Sequence, residues 1–286
     1  MIFYLVIAVF SASFITCKDS FNKYISQIVA PLISTFASFF FALPYYLVIL
    51  TVLNILGFEK IIFEKIFWLF ALARGFTDCF AESYKMKALI DGDLSVVSSL
   101  QTLSIVFTLI FSSYVGGDSY VLSQFVGVTI LVIGNFVILL NPSAKFTKES
   151  IIYSLISCLF FGLNHTFDRM CALLSTPVYS AFAVNLVSLA LLAPLVLIKR
   201  NNLIQVSANY KVFFGRGFFE SLQMSFKMFA LQGLQTVEYS AISRISLFLN
   251  LLTGRFMFKE LGFMRRFLGI SLIVCGLLLI LFKPKL

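Results

Sequence analysis

The chain has 286 residues, 60% of them hydrophobic and 12% charged, with a mean hydropathy of +0.98. Soluble globular domains carry about 45–50% apolar and about 25% charged residues, so this composition excludes a soluble domain and leaves an integral membrane protein. The formal net charge of +9 suits loops that meet anionic lipid; no basic cluster with interleaved polar residues points to nucleic acid.

Crossing about 30 Å of hydrocarbon takes roughly 20 apolar residues. Runs near that length predict ten helices, at residues 2–22, 28–53, 64–89, 94–115, 120–141, 149–171, 176–198, 211–232, 237–257 and 264–282. The first run lacks the basic leader and small-residue cleavage pattern of a signal peptide, so it is expected to span. Short breaks such as Asp91-Gly92-Asp93, Asn141-Pro142-Ser143 and Lys199 to Asn202 separate the runs and predict one compact bundle. The five cysteines form no close pair, so neither a disulfide framework, a zinc site nor a cofactor is expected.

One stretch occurs twice. Leu72 to Leu89 aligns without a gap on Phe214 to Leu231, setting Arg74 over Arg216, Gly75 over Gly217, Asp78 over Glu220 and Lys85 over Lys227. The offset, 216 − 74 = 142, is close to half of 286. It recurs where Asp118 to Pro142 lies over Glu260 to Pro284, matching Gly127 with Gly269 and Gly134 with Gly276. A third block, Lys18 to Ser26 over Asn164 to Ala172, needs an offset of 146. The chain therefore reads as two repeats, 1–142 and 149–286, each of five helices. An odd number makes the second enter the membrane from the opposite side, and inverted repeats are a hallmark of transporters with a site at the repeat interface. Lysines and arginines in the breaks after odd-numbered helices (Lys145, Lys148, Lys199, Arg200, Lys211, Lys259, Arg265, Arg266) outnumber those in the even breaks and at the C-terminus (Lys60, Lys65, Lys283, Lys285), which places both termini outside by the positive-inside rule.

Ten helices in two repeats, each closing on an acid followed by Gly-(x)6-Gly (Asp118, Gly127, Gly134, then Glu260, Gly269, Gly276), resemble the EamA-type carriers of the drug/metabolite transporter superfamily. The Arg-Gly pair opening the third helix of each repeat, and Tyr84 to Leu89 at its end, are similar too. The resemblance covers nearly the whole chain. It implies a single-chain carrier of small organic molecules with a cavity lined by the first, third and fourth helices of each repeat, and cytoplasmic termini, against the charge count. Asp19 to Tyr24, with its echo at His165 to Met170, resembles S-adenosylmethionine carriers within that superfamily. Such carriers often hold a proline midway along the fourth helix, where this chain has Ser104 and Ser246, which removes the usual cause of a kink.

At 100° per residue, Arg74, Asp78, Lys85 and Glu82 fall at about 0°, 40°, 20° and 80°, one stripe that Arg216, Glu220 and Lys227 reproduce. Charge is costly in hydrocarbon, so the stripe should face protein or water, and its two copies should face each other. Two readings stand. Either the stripe binds substrate, basic groups on carboxylate or phosphate and acids on amines, or the arginines snorkel at the interface, each paired with the acid one turn on. Arg244, whose counterpart is Thr102 beside Gln101, breaks the symmetry and would either orient a substrate with distinct ends or join an internal ion pair. His165 and Asp168 share a face and, with Asp19 and Lys23, form either a coupling and gating cluster between the first and sixth helices or an interhelical hydrogen bond. The glycines read as packing residues, and Tyr84 and Trp68 as stacking candidates.

These residues predict a secondary carrier, not an enzyme, moving an amino acid, nucleotide or S-adenosylmethionine-like metabolite across a bacterial inner or plasma membrane. Expected partners are the small substrate and membrane lipid, with a monomer sufficient and a homodimer allowed. The competing classes are a membrane enzyme acting on a lipid-linked substrate, against which the single histidine and the absence of DxxD or HxxxxD clusters speak, and a non-transporting membrane subunit.

Overall fold

The computed structural model describes residues 2–59, 64–115, 117, 120–140, 145–198 and 200–282. Asp118, Pro142 and Pro284 of the repeat motif, and Lys60, Lys199, Lys283 and Lys285 of the loop-charge count, lie outside the described residues. Among those described there is no strand, and the helices are α1 (Ile2–Ile25), α2 (Pro31–Ile55), α3 (Lys65–Asp91), α4 (Leu94–Leu100), α5 (Ser104–Val115), α6 (Leu122–Leu139), α7 (Lys148–Leu174), α8 (Pro177–Leu197), α9 (Arg200–Ala208), α10 (Tyr210–Leu231), α11 (Thr236–Ser243), α12 (Ser246–Phe256) and α13 (Phe263–Phe282).

Among the described residues, seven stretches are long and apolar enough to cross a membrane: α1, α2, Leu94–Val115, α6, α7, α8 and Phe263–Leu281. The chain is an all-α, multi-pass membrane protein. Helices α3 and α10 are as long, at 27 and 22 residues, but carry the charged stripe, and α11 and α12 have only 8 and 11 residues each. The segment beyond Lys199, expected as a loop, forms α9.

The fourth and ninth predicted helices are each interrupted without proline. A 3₁₀ turn at Gln101–Leu103 separates α4 from α5, and Arg244 and Ile245 separate α11 from α12 through backbone bonds that skip only three residues, Arg244 to Ala241 (3.1 Å) and Leu247 to Arg244 (2.9 Å). Hydroxyls account for both. Ser99 and Thr102 donate to the carbonyls of Val96 (2.8 Å) and Ser99 (2.6 Å), while Ser243 and Ser246 donate to those of Ser240 (2.7 Å) and Ser243 (2.8 Å). Such back-bonding competes with the amide ladder and bends helices.

Lipid tails are as apolar as leucine, so close packing and polar contacts, rather than expulsion of water, hold membrane helices together. Helix α3 packs on α7 and α8, α10 packs on α1 and α2, α2 meets α8, and α6 lies along α13. Glycines set the approach. A Cβ on Gly75 would sit 2.5 Å from a Val187 methyl on α8, and one on Gly217 would sit 2.5 Å from the Phe41 carbonyl on α2. In the α6–α13 seam, a Cβ on Gly127 would lie 2.5 Å from the Gly276 carbonyl oxygen, and Cβ atoms on Gly134 and Gly269 would lie 2.8 and 2.9 Å from each other's carbonyls.

Two carboxylates cap helices they do not belong to. Glu59 accepts from the amides of Val178 (3.0 Å) and Tyr179 (3.2 Å) at the start of α8. Glu260, the acid of the repeat motif, accepts from Leu94 (2.6 Å) and Ser95 (3.3 Å) at the start of α4. Both satisfy orphan donors and oppose the helix dipole. Arg266, 1% exposed, ties Glu260 to Asp93 with 2.5 Å contacts to each, so these charges fix one end of the bundle.

Candidate functional site

In the middle of the bundle the two copies of the charged stripe meet. Arg74, Asp78, Glu82 and Lys85 from α3 and Glu220 and Lys227 from α10 line one cavity, joined by Lys18 and Asp19 of α1, His165 of α7, Gln101, and Arg244 and Asn250 near the second helix break. The cavity measures about 70 Å³, room for a handful of water molecules at roughly 10–15 Å³ each.

Its walls are ion pairs. On the α3–α7 side, Arg74 reaches Asp168 through Nε at 2.6 Å and Asp78, one turn on, at 2.8 Å, while the Asn164 amide donates to Asp78 at 3.1 Å. Lys227 contacts the other oxygen of Asp168 at 2.5 Å and His165 Nδ1 at 3.0 Å. On the α10–α1 side, Arg216 donates through Nε to the Asn22 carbonyl oxygen at 2.9 Å, pairs with Glu220 at 2.9 Å and lies 3.6 Å from Glu82. Lys18 bridges Glu82 (3.0 Å) and Glu220 (3.2 Å). Lys85 pairs with Asp19, which also accepts from Asn250 at 3.1 Å; Asn250 donates in turn to Ser98 at 2.9 Å.

Burying a charge is costly unless it is paired, and removing one partner of a buried pair leaves the other uncompensated. This network satisfies that requirement almost everywhere. Arg244 is the exception. One of its terminal nitrogens donates to Ser104 at 2.8 Å, its Nε makes no hydrogen bond, and no carboxylate among the described residues pairs with it. The Gln101 side-chain nitrogen, also buried, makes no hydrogen bond either.

Several expectations change. Arg74 and Arg216, at 2% and 0% exposed, do not snorkel at an interface; each pairs with the acid one turn on and also reaches a neighbouring helix. The expected cluster of Asp19, Lys23, His165 and Asp168 between the first and sixth helices is split. Asp19 turns to Lys85 on α3, and His165 and Asp168 both turn to Lys227 on α10. Lys23 caps the end of α3, donating to the carbonyls of Leu89 (2.7 Å) and Gly92 (2.8 Å). Tyr84 lies outside the cavity in a groove facing outward between α3 and α8, with the Lys87 ammonium 4.8 Å from its ring centre, and Trp68 packs edge-on against Phe67. Lys18, which bridges the two copies of the stripe, escaped the sequence reading, as did Asn250. A lysine midway between apolar residues and next to Asp19 was the available signal.

No protein-family model matches the chain, and no curated protein matches it. A solved crystal structure of a protein superposes on it with a TM-score of 0.62 at 14% identity, over 97% of this chain and 94% of its own length. That likeness is of fold alone, and it extends over nearly the whole chain.

Proposed function

We propose that this chain is a secondary transporter, moving a small polar metabolite by alternating access between two inverted five-helix repeats, 1–142 and 149–286, in the manner of the EamA-type carriers it resembles. In that arrangement α1, α2, α3, α4–α5 and α6 answer to α7, α8, α10, α11–α12 and α13, and the ten crossings comprise the seven apolar spans together with α3, α10 and the α11–α12 pair.

One observation carries the reading. Exchange each residue for its counterpart, at offset 146 in α1 and α2 and at 142 from α3 onward, and four of the polar contacts map onto four others, while Lys18–Glu82, Lys227–Asp168 and Arg216–Glu82 have no counterpart. Arg74 to Asp168 becomes Arg216 to Asn22; Arg74 to Asp78 becomes Arg216 to Glu220; Asn164 to Asp78 becomes Lys18 to Glu220; Lys85 to Asp19 becomes Lys227 to His165. The glycine contact of α3 on α8 likewise becomes that of α10 on α2, Gly75 to Val187 answering to Gly217 to Phe41. Two corresponding halves around a charged cavity support alternating access, since exchanging their conformations would exchange the open side. A volume of about 70 Å³ suits an occluded state, because metabolite sites occupy roughly 300–1,000 Å³.

The test is flux into liposomes of defined lipid. Screening a labelled metabolite panel should find saturable uptake that Lys85→Ala, Lys227→Ala or Arg244→Ala reduces by about tenfold or more, since each removes a charged contact. Uptake at wild-type rates in all three variants would rule out this cavity as the pathway.

A further inference from the structure

The charges of the cavity and its immediate walls do not balance. Lys18, Arg74, Lys85, Arg216 and Lys227 each lie within 3.0 Å of a carboxylate. The acids Asp19, Asp78, Glu82, Asp168 and Glu220 are all engaged in those contacts or in the Arg74–Asp78 pair at 2.8 Å. Arg244 is a sixth cation against five carboxylates. It lies between Ser243 and Ser246, which also line the cavity, and its terminal nitrogen meets Ser104 from the other helix break, one turn beyond Gln101. Two donors with no hydrogen bond, Arg244 Nε and Gln101 Nε2, therefore belong to one cavity.

Resting on the carrier reading above, we infer that the cargo is a monocarboxylate, received by the Arg244 guanidinium with the Gln101 amide as a second donor. An ammonium group would have to displace a lysine or arginine from an acid that is already paired, whereas a single carboxylate completes the unmatched cation and adds no new imbalance. Guanidinium takes a carboxylate through two parallel N–H bonds, which fixes the orientation as well as the charge. The apolar remainder of the cavity, Ile15, Phe161, Met224 and Leu247, leaves the body of that molecule uncharged. Because the counterpart of Arg244 is Thr102, only one half holds the carboxylate, and the cargo keeps one orientation relative to the two halves.

The inference is tested on the full-length protein in detergent at fixed ionic strength. Melting temperature is followed against lactate, hexanoate and benzoate, with hexylamine, benzylamine and benzamide as matched probes. A ligand that binds the folded state raises its apparent stability. At least one carboxylate should raise the melting temperature saturably while the amines and the amide do not. Arg244→Gln should weaken that binding by about tenfold or more, and Arg244→Lys, which keeps the charge, by less. Without ligand, Arg244→Gln should melt no lower than wild type, because it removes an unmatched buried charge; a purely structural arginine would lower it. Protection by an amine or amide, by no carboxylate, or equally in Arg244→Gln overturns the assignment, as does a lower melting temperature of the unliganded variant. Flux separates the two ideas. A carboxylate that binds but does not cross liposomes sinks the carrier reading and leaves the anion site, whereas saturable flux of a cation sinks the anion site and leaves the carrier.

Discussion

Arg74 and Arg216 occupy the same place in the repeated stretch, and each turns its Nε onto a neighbouring helix. One meets the carboxylate of Asp168 and the other the carboxamide of Asn22. The two corners also differ in redundancy. Asp78 has Arg74 as its cation, with Asn164 adding only a neutral donor, whereas Glu82 and Glu220 are both held by Lys18 as well as by Arg216. Equal geometry therefore does not mean equal dependence. At the α3–α7 corner Asp168 has Lys227 as well as Arg74, but Asp78 relies on Arg74 alone, whereas both acids of the α10–α1 corner share a lysine and an arginine.

The sharpest way to break this comparison is to remove each arginine. Arg74→Ala leaves Asp78 without a cation and should destabilise by about 3–5 kcal/mol, as for other broken buried pairs. Arg216→Ala leaves both glutamates on Lys18 and should cost less, about 1.5–3 kcal/mol, in line with lost hydrogen bonds to a charged group. Melting temperatures of the two variants in the same detergent decide it; equal losses would show that Lys18 does not share the load. A finer probe is Asn22→Asp, which gives the second corner the carboxylate of the first. Since Arg216 already contacts two acids and both Asn22 and Arg216 are fully buried, a third carboxylate brings no new cation with it and should lower stability. A large gain would mean that Arg216 is under-compensated as it stands.

The helices were legible in the sequence because apolar runs of spanning length are long signals. The predicted 2–22, 64–89 and 264–282 reappear within a few residues as α1, α3 and α13. The breaks at Gln101–Leu103 and Arg244–Ile245 were not, since serine and threonine back-bonding leaves no mark as plain as proline. For the site, the repeat alignment and the helical stripe found Arg74, Asp78, Glu82, Lys85, Glu220 and Lys227, all of which reach the cavity. Tyr84, expected to stack on a substrate, lies at about 280° on the same projection, nearer the opposite face, and falls outside the cavity. What a single-helix projection could not supply was which neighbour each charge would meet. That depends on how helices distant in sequence pack, and it is why Asp19, Lys23, His165 and Asp168 were grouped with one another instead of with α3 and α10.

The glycine seam bears on the order in which the chain acquires its structure. Gly127 and Gly134 on α6 are synthesised well over a hundred residues before their partners Gly276 and Gly269 on α13. Until α13 is made, the notched face of α6 lacks its fitted partner. The seam therefore closes late in synthesis, after the residues of α7 to α12 have been made.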